Sequence, residues 1–110
     1  MEHFCISMSN VYTFGPTFRA EISHTNRHLA EFWMIEPEFA FADLYDNMDA
    51  AEAYVKFAIK YVLENNNDDL LFLDSKVKPG LIAYLKDIVS QDFIRCSYTQ
   101  GIKILEDAVK

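Results

Sequence analysis

Arg19, Glu21, Arg27, His28, Phe32 and Glu36 crowd into one short stretch, and together they suit a small, highly charged ligand. Arginine is the natural partner of carboxylate and phosphate, because its planar fork meets two oxygens at once. An aromatic ring set among such polar neighbours has a use if a flat ligand ring stacks on it. A carboxylate completes the set by accepting from an amino or hydroxyl group. Phosphate, flat base and amine or hydroxyl together describe a nucleotide-like ligand. The competing reading is a solvent-facing charged sheet, with salt bridges from Arg19 to Glu21 or Glu36.

Two strands must position these groups. From Val11 to Glu21, Phe14, Phe18 and Ala20 share one parity, and Thr17, Arg19 and Glu21 share the other. From Leu29 to Phe41, Trp33, Ile35, Phe39 and Phe41 alternate with Phe32, Met34, Glu36 and Glu38. Period-two alternation predicts strands with an apolar face turned to a core and a second face turned outward. The polar connector from Ile22 to His28 lacks an Asn-Gly turn, which predicts an antiparallel hairpin with a long loop. One outward face then carries Arg19, Glu21, Phe32, Met34 and Glu36, with Arg27 and His28 at its rim. Gly15-Pro16 and Pro37 predict a bulge or an exposed edge.

The run Phe18-Arg19-Ala20-Glu21, continued by Ser23-His24-Thr25-Asn26-Arg27-His28-Leu29-Ala30-Glu31-Phe32, resembles motif 2 of the class II aminoacyl-tRNA synthetases. Trp33-Met34-Ile35-Glu36-Pro37-Glu38 is similar to the asparaginyl rather than the aspartyl version. The lead-in from Val11 to Thr17 agrees as well, as do the weaker matches at Ser97-Tyr98-Thr99 and Ile104-Leu105-Glu106. The resemblance implies an ATP-dependent ligase that activates asparagine and passes it to tRNA, with ATP and Mg²⁺ as cofactors and the tRNA acceptor end as a partner. It implies that Arg19 is catalytic, bridging the α-phosphate and the amino-acid carboxylate. It places Arg19, Glu21, Arg27, His28 and Phe32 on ATP, with Phe32 stacked on adenine. It places Glu36 and Arg19 on the amino acid, and His24, Asn26 and Arg27 in a loop facing tRNA. It puts the Mg²⁺ ligands outside these residues, so no metal site is assigned. Ile22 departs from the family, which carries a polar residue there.

The chain has three glycines and no Gly-x-Gly run. The glycine-rich motif 3 with its arginine, the dimer-forming motif 1 and an anticodon-binding barrel are therefore not expected within it. A segment with motif 2 alone is expected to be inactive by itself. The alternative is a non-catalytic module that binds adenine nucleotide or a full-length synthetase.

After Asp43 the apolar period changes to that of a helix, through Leu44, Met48, Ala51, Val55, Ala58, Ile59 and Val62. Asp46 or Asn47 is the expected N-cap, and Asn65-Asn66-Asn67 the expected end. Further helices are expected over 68–75, from Pro79 to Ser90, and over 99–108. The predicted class is α+β: residues 1–43 form the motif 2 strands and loop, and 44–110 a helical segment packed on them, as one partial domain. Two strands leave open edges, so self-association or a borrowed partner strand is expected. A net charge of −7 excludes a broadly basic nucleic-acid surface. No apolar run is long enough to span a membrane, and the start of the chain does not read as a secretory signal. Cys5 and Cys96 are unpatterned, which fits reduced thiols in a cytoplasmic chain.

Overall fold

A computed structural model describes residues 1–20, 22 and 25–109. The architecture is α+β, and the chain divides into two compact units, Met1–Met48 and Asp49–Lys110.

The first unit opens with helix α1, Glu2–Met8, an element that strand periodicity does not announce. The Cys5 thiol donates to the Ser9 carbonyl at 2.9 Å, and Ser9 turns the chain with φ at 69°. Strands β1, Asn10–Phe18, and β2, Glu31–Phe39, then pair antiparallel. β1 begins one residue before the predicted start and ends short of Glu21, and β2 is shorter than predicted at both ends. The pairing runs without interruption from Asn10↔Phe39 to Phe18↔Glu31. Backbone bonds from Arg19 N to Ala30 O at 2.9 Å and from Ala40 N to Ser9 O at 3.0 Å continue it at either end. Gly15-Pro16 and Pro37 therefore cause no bulge. Each strand of a two-stranded sheet has an open side, where a proline lacking its N–H is tolerated.

The apolar parity does not find the core expected for it. Tyr12, Phe14, Phe18 and Trp33 are each more than 60% exposed. Among the described residues only Cys5 and Leu70 make up the buried apolar set. A two-stranded ribbon with one two-turn helix has too little apolar surface to cover its own face.

Helix α2, Leu44–Asn65, starts where the period changes, but its cap differs from the expected Asp46 or Asn47. The Asp43 carboxylate accepts from Tyr45 N at 2.7 Å and Asp46 N at 3.0 Å, and the Asp46 carboxylate accepts from Asp43 N at 3.0 Å. This reciprocal arrangement satisfies amides that the first helical turn leaves without backbone partners.

In the second unit α3, Asn67–Lys76, follows after Asn66, and α4 covers Leu81–Ser90. Gly80 adopts φ 85° just ahead of α4, a backbone state that glycine enters without steric cost. The Asp74 carboxylate of α3 accepts from Ile82 N at 2.9 Å and ties the two helices together. Helix α5, Tyr98–Ala108, is opened by a capping box between Ser97 and Gln100. Among the described residues no helix is long and apolar enough to cross a membrane.

Replacing Asp43 by alanine removes the carboxylate oxygen that accepts from both Tyr45 N and Asp46 N at the start of α2, at a cost of about 1 kcal/mol. Urea unfolding followed by far-ultraviolet circular dichroism should show this loss, with Asp43→Asn retaining most of the stability.

Candidate ligand-binding face

The register decides which side chains share a face. Thr13 lies opposite Glu36, Gly15 opposite Met34 and Thr17 opposite Phe32, and Arg19 bonds to Ala30 one step further. Side chains alternate across a strand, so Thr13, Gly15, Thr17 and Arg19 line the same face as Phe32, Met34 and Glu36. Phe14 and Trp33 lie on the opposite face, with ring centroids 5.2 Å apart.

At one end of the face the Arg19 guanidinium sits over the Phe32 ring, 5.3 Å from its centroid. Two rungs away the Thr13 hydroxyl donates to Glu36 Oε2 at 3.1 Å, a partner that strand parity alone does not reveal. Arg19 and Glu36 are six positions apart along the ribbon, roughly 20 Å at the usual strand rise, so the Arg19–Glu36 salt bridge of the competing charged-sheet reading does not form, and its Arg19–Glu21 alternative falls outside the described residues. Among the described residues the Arg19 guanidinium makes no ion pair. Glu21 and His24, both singled out in the sequence, lie outside the described residues.

Asn26, Arg27 and His28 belong to the exposed connector. There the Thr25 hydroxyl oxygen accepts from Arg27 N at 3.4 Å and lies 2.5 Å from His28 Nδ1. Among the described residues no hydrogen bond or ion pair links Arg27 or His28 to Arg19, Phe32 or Glu36. The face can therefore offer an anion a guanidinium and a flat ligand a ring at one end, and an amine a carboxylate at the other, with the Gly15–Met34 rung between them.

A second ionic cluster, missed in the sequence, belongs to the scaffold of the other unit. Glu52 on α2 accepts from Lys56 Nζ at 2.6 Å, Arg95 Nη1 at 2.6 Å and Phe93 N at 3.0 Å. Arg95 also pairs with Asp49 at 2.5 Å, and Lys56 with Asp92 at 3.3 Å. The Glu52–Lys56 spacing is visible in the sequence as a helical i,i+4 pair. Its partners on 92–95 are too distant in sequence to be read locally. Hydrogen bonds from Lys56, Phe93 and Arg95 hold the Glu52 carboxyl down from 4.5 to about 2. The paired carboxylates raise Lys56 and Arg95 above their ordinary values.

Residues 2–110 match the family of tRNA synthetases class II (D, K and N). An asparagine–tRNA ligase of Protochlamydia amoebophila is 56% identical over 109 residues, covering 99% of this chain and 23% of the relative. That of Hahella chejuensis is 51% identical over 110 residues, covering 100% and 24%. The chloroplastic/mitochondrial asparagine–tRNA ligase of Arabidopsis thaliana is 52% identical over 109 residues, covering 99% and 19%. The crystal structure of asparaginyl-tRNA synthetase from Pyrococcus horikoshii complexed with asparaginyl-adenylate superposes with a TM-score of 0.82 at 33% identity. That superposition covers 97% of this chain and 23% of the other. The chain thus spans less than a quarter of the length of these relatives, 19% to 24%.

The Glu52 cluster makes a prediction about acid. A carboxyl with a depressed folded-state pKa contributes stability above its unfolded value and loses it as pH falls through the folded one. The stability difference between the native chain and Glu52→Gln should hold above pH 4.5 and close as pH falls toward about 2. Carbon-detected titration of the Glu52 carboxyl should give a midpoint well below that of an ordinary glutamate.

Proposed function

Because the chain belongs to the class II tRNA synthetases of the D, K and N group, we propose that its two-stranded ribbon is the adenylate-binding part of an asparagine–tRNA ligase. In the reaction proposed, the carboxylate of asparagine attacks the α-phosphorus of ATP. A phosphorus–oxygen bond to the acyl group forms, the bond to the β-phosphate breaks, and pyrophosphate leaves. The asparaginyl group then passes from AMP to the terminal ribose of tRNA.

Arg19 meets the α-phosphate and the amino-acid carboxylate, stabilising charge where it develops. Phe32 stacks on adenine, and Glu36, held by Thr13, accepts from the amino-acid end. Glu21, Arg27 and His28 belong to the ATP side, and His24, Asn26 and Arg27 face the acceptor end of tRNA. The observation that carries the reading is the Arg19 guanidinium over Phe32 on the same face as Glu36.

Arg19 must leave the ring when adenine arrives. An exposed cation–π contact is worth only ~0.5–1 kcal/mol. A bidentate guanidinium–phosphate pair is stronger, so the exchange favours the bound ligand. Mg²⁺ supplies charge neutralisation on the ATP phosphates when bound. Among the described residues no group of three His, Cys, Asp or Glu side chains is placed to hold a metal ion. The proposed setting is the cytoplasm, and the proposed protein partners are a full-length synthetase or a second copy of this chain.

Asparagine-dependent exchange of pyrophosphate into ATP tests the catalytic reading. Where exchange occurs, Arg19→Ala should lower it by about 10²–10³-fold, the scale of one lost transition-state donor. Nucleotide binding without exchange would make the chain a binding module. A chain that shows no exchange and binds no nucleotide would overturn the assignment of the face.

A further inference from the structure

One position on the ribbon is out of keeping with its surroundings. Gly15 sits in the middle of a strand, where glycine costs conformational entropy and offers nothing to pack. The backbone does not require it. Its φ lies outside the left-handed region, and pairing passes through Gly15↔Met34 without a bulge. A Cβ built there meets no atom within 4 Å. The fold would accept a side chain, and a β-branched one would suit the strand better.

The bare position lies between the two chemical ends of the face. On one side the Arg19 guanidinium rests over Phe32. On the other Glu36 is held by Thr13. Phe32 and Glu36 are four positions apart, roughly 13 Å along the strand, and the Gly15–Met34 rung falls midway. An extended aminoacyl nucleotide has a flat base at one end, an ammonium at the other and a phosphate ester between them. The guanidinium complements the phosphate, and the carboxylate complements the amine.

We infer that Gly15 is a specificity-determining position: its missing side chain lets the phosphate–acyl middle of an aminoacyl-adenylate lie directly on the strand backbone. The inference rests on the adenylate-binding reading and adds to it a steric requirement at one residue. A side chain at this position occupies the ligand's path while leaving the base end and the amine end intact.

The test compares the native chain with Gly15→Ala and Gly15→Val. Each is titrated with adenosine and with a non-hydrolysable sulfamoyl analogue of asparaginyl-adenylate, and each is melted thermally. Both variants should melt at or above the native temperature. Affinity for the analogue should fall on the order of tenfold for alanine and a hundredfold for valine, the scale of a methyl-sized misfit in a shaped site. Adenosine, which touches the base end alone, should bind all three equally. Native-like analogue binding by Gly15→Val would overturn the inference while leaving the adenylate reading intact. Lowered melting of both variants, with adenosine binding lost too, would overturn it by making the glycine structural. A native chain that binds neither compound would sink the adenylate reading and this inference with it.

Discussion

The antiparallel register of β1 and β2 is the constraint on which the rest depends. A slip of one residue in either strand would send its side chains to the opposite face and separate Arg19 from Phe32. Contacts on both faces resist such a slip. On one the Thr13 hydroxyl donates to Glu36 across the ladder, and on the other Phe14 meets Trp33 ring to ring. An aromatic pair of this kind contributes ~0.5–1.5 kcal/mol beyond its burial, so two such pins matter in a small ribbon. The face is thus a consequence of pairing before it is a consequence of any single side chain.

The same ribbon is energetically incomplete. A two-stranded hairpin is marginal in water, and this one leaves Tyr12, Phe14, Phe18 and Trp33 in solvent. Its two outer edges present backbone groups that could pair with another strand. Pro16 and Pro37 remove two of the donors from those strands and blunt them as templates. The second unit is differently built. There α3 and α4 are joined by Asp74, α5 carries its own capping box, and ion pairs fasten 92–95 to α2.

How much of this is legible in the sequence follows from the range of each interaction. Period-two alternation is a pattern of near neighbours, so the parity within each strand can be read from the order of residues alone, whereas setting Arg19 on the face of Phe32 and Glu36 depends on the register between the strands. The change of period after Asp43 is equally local, and α2 begins within a residue of it. The cap misleads because Asp43, Asp46 and Asn47 all have capping side chains, and only geometry shows which carboxylate meets the free amides. The apolar parity implies a core, but parity says only which residues share a face and not what covers it. Thr13 escapes notice because its importance is a cross-strand relation, and Glu52 because its partner Arg95 lies in a distant segment.

The two ionic environments also separate scaffold from site. The chain carries 17 acidic residues against 10 lysines and arginines, so a cation has an excess of carboxylates to choose from. Lys56 and Arg95 each take two, and the side chains they join are anchored on Glu52, itself only 13% exposed. Arg19 takes none among the described residues and rests on a ring instead. Pairing with Glu36 is denied to it by the length of the ribbon between them. A guanidinium held near an aromatic face by a weak contact keeps all its N–H donors available for a planar anion, whereas one locked between two carboxylates has already used its fork. The net acidic charge opposes loose attraction of anions over the whole chain, while the ribbon carries a cation, a ring and an acceptor on one face.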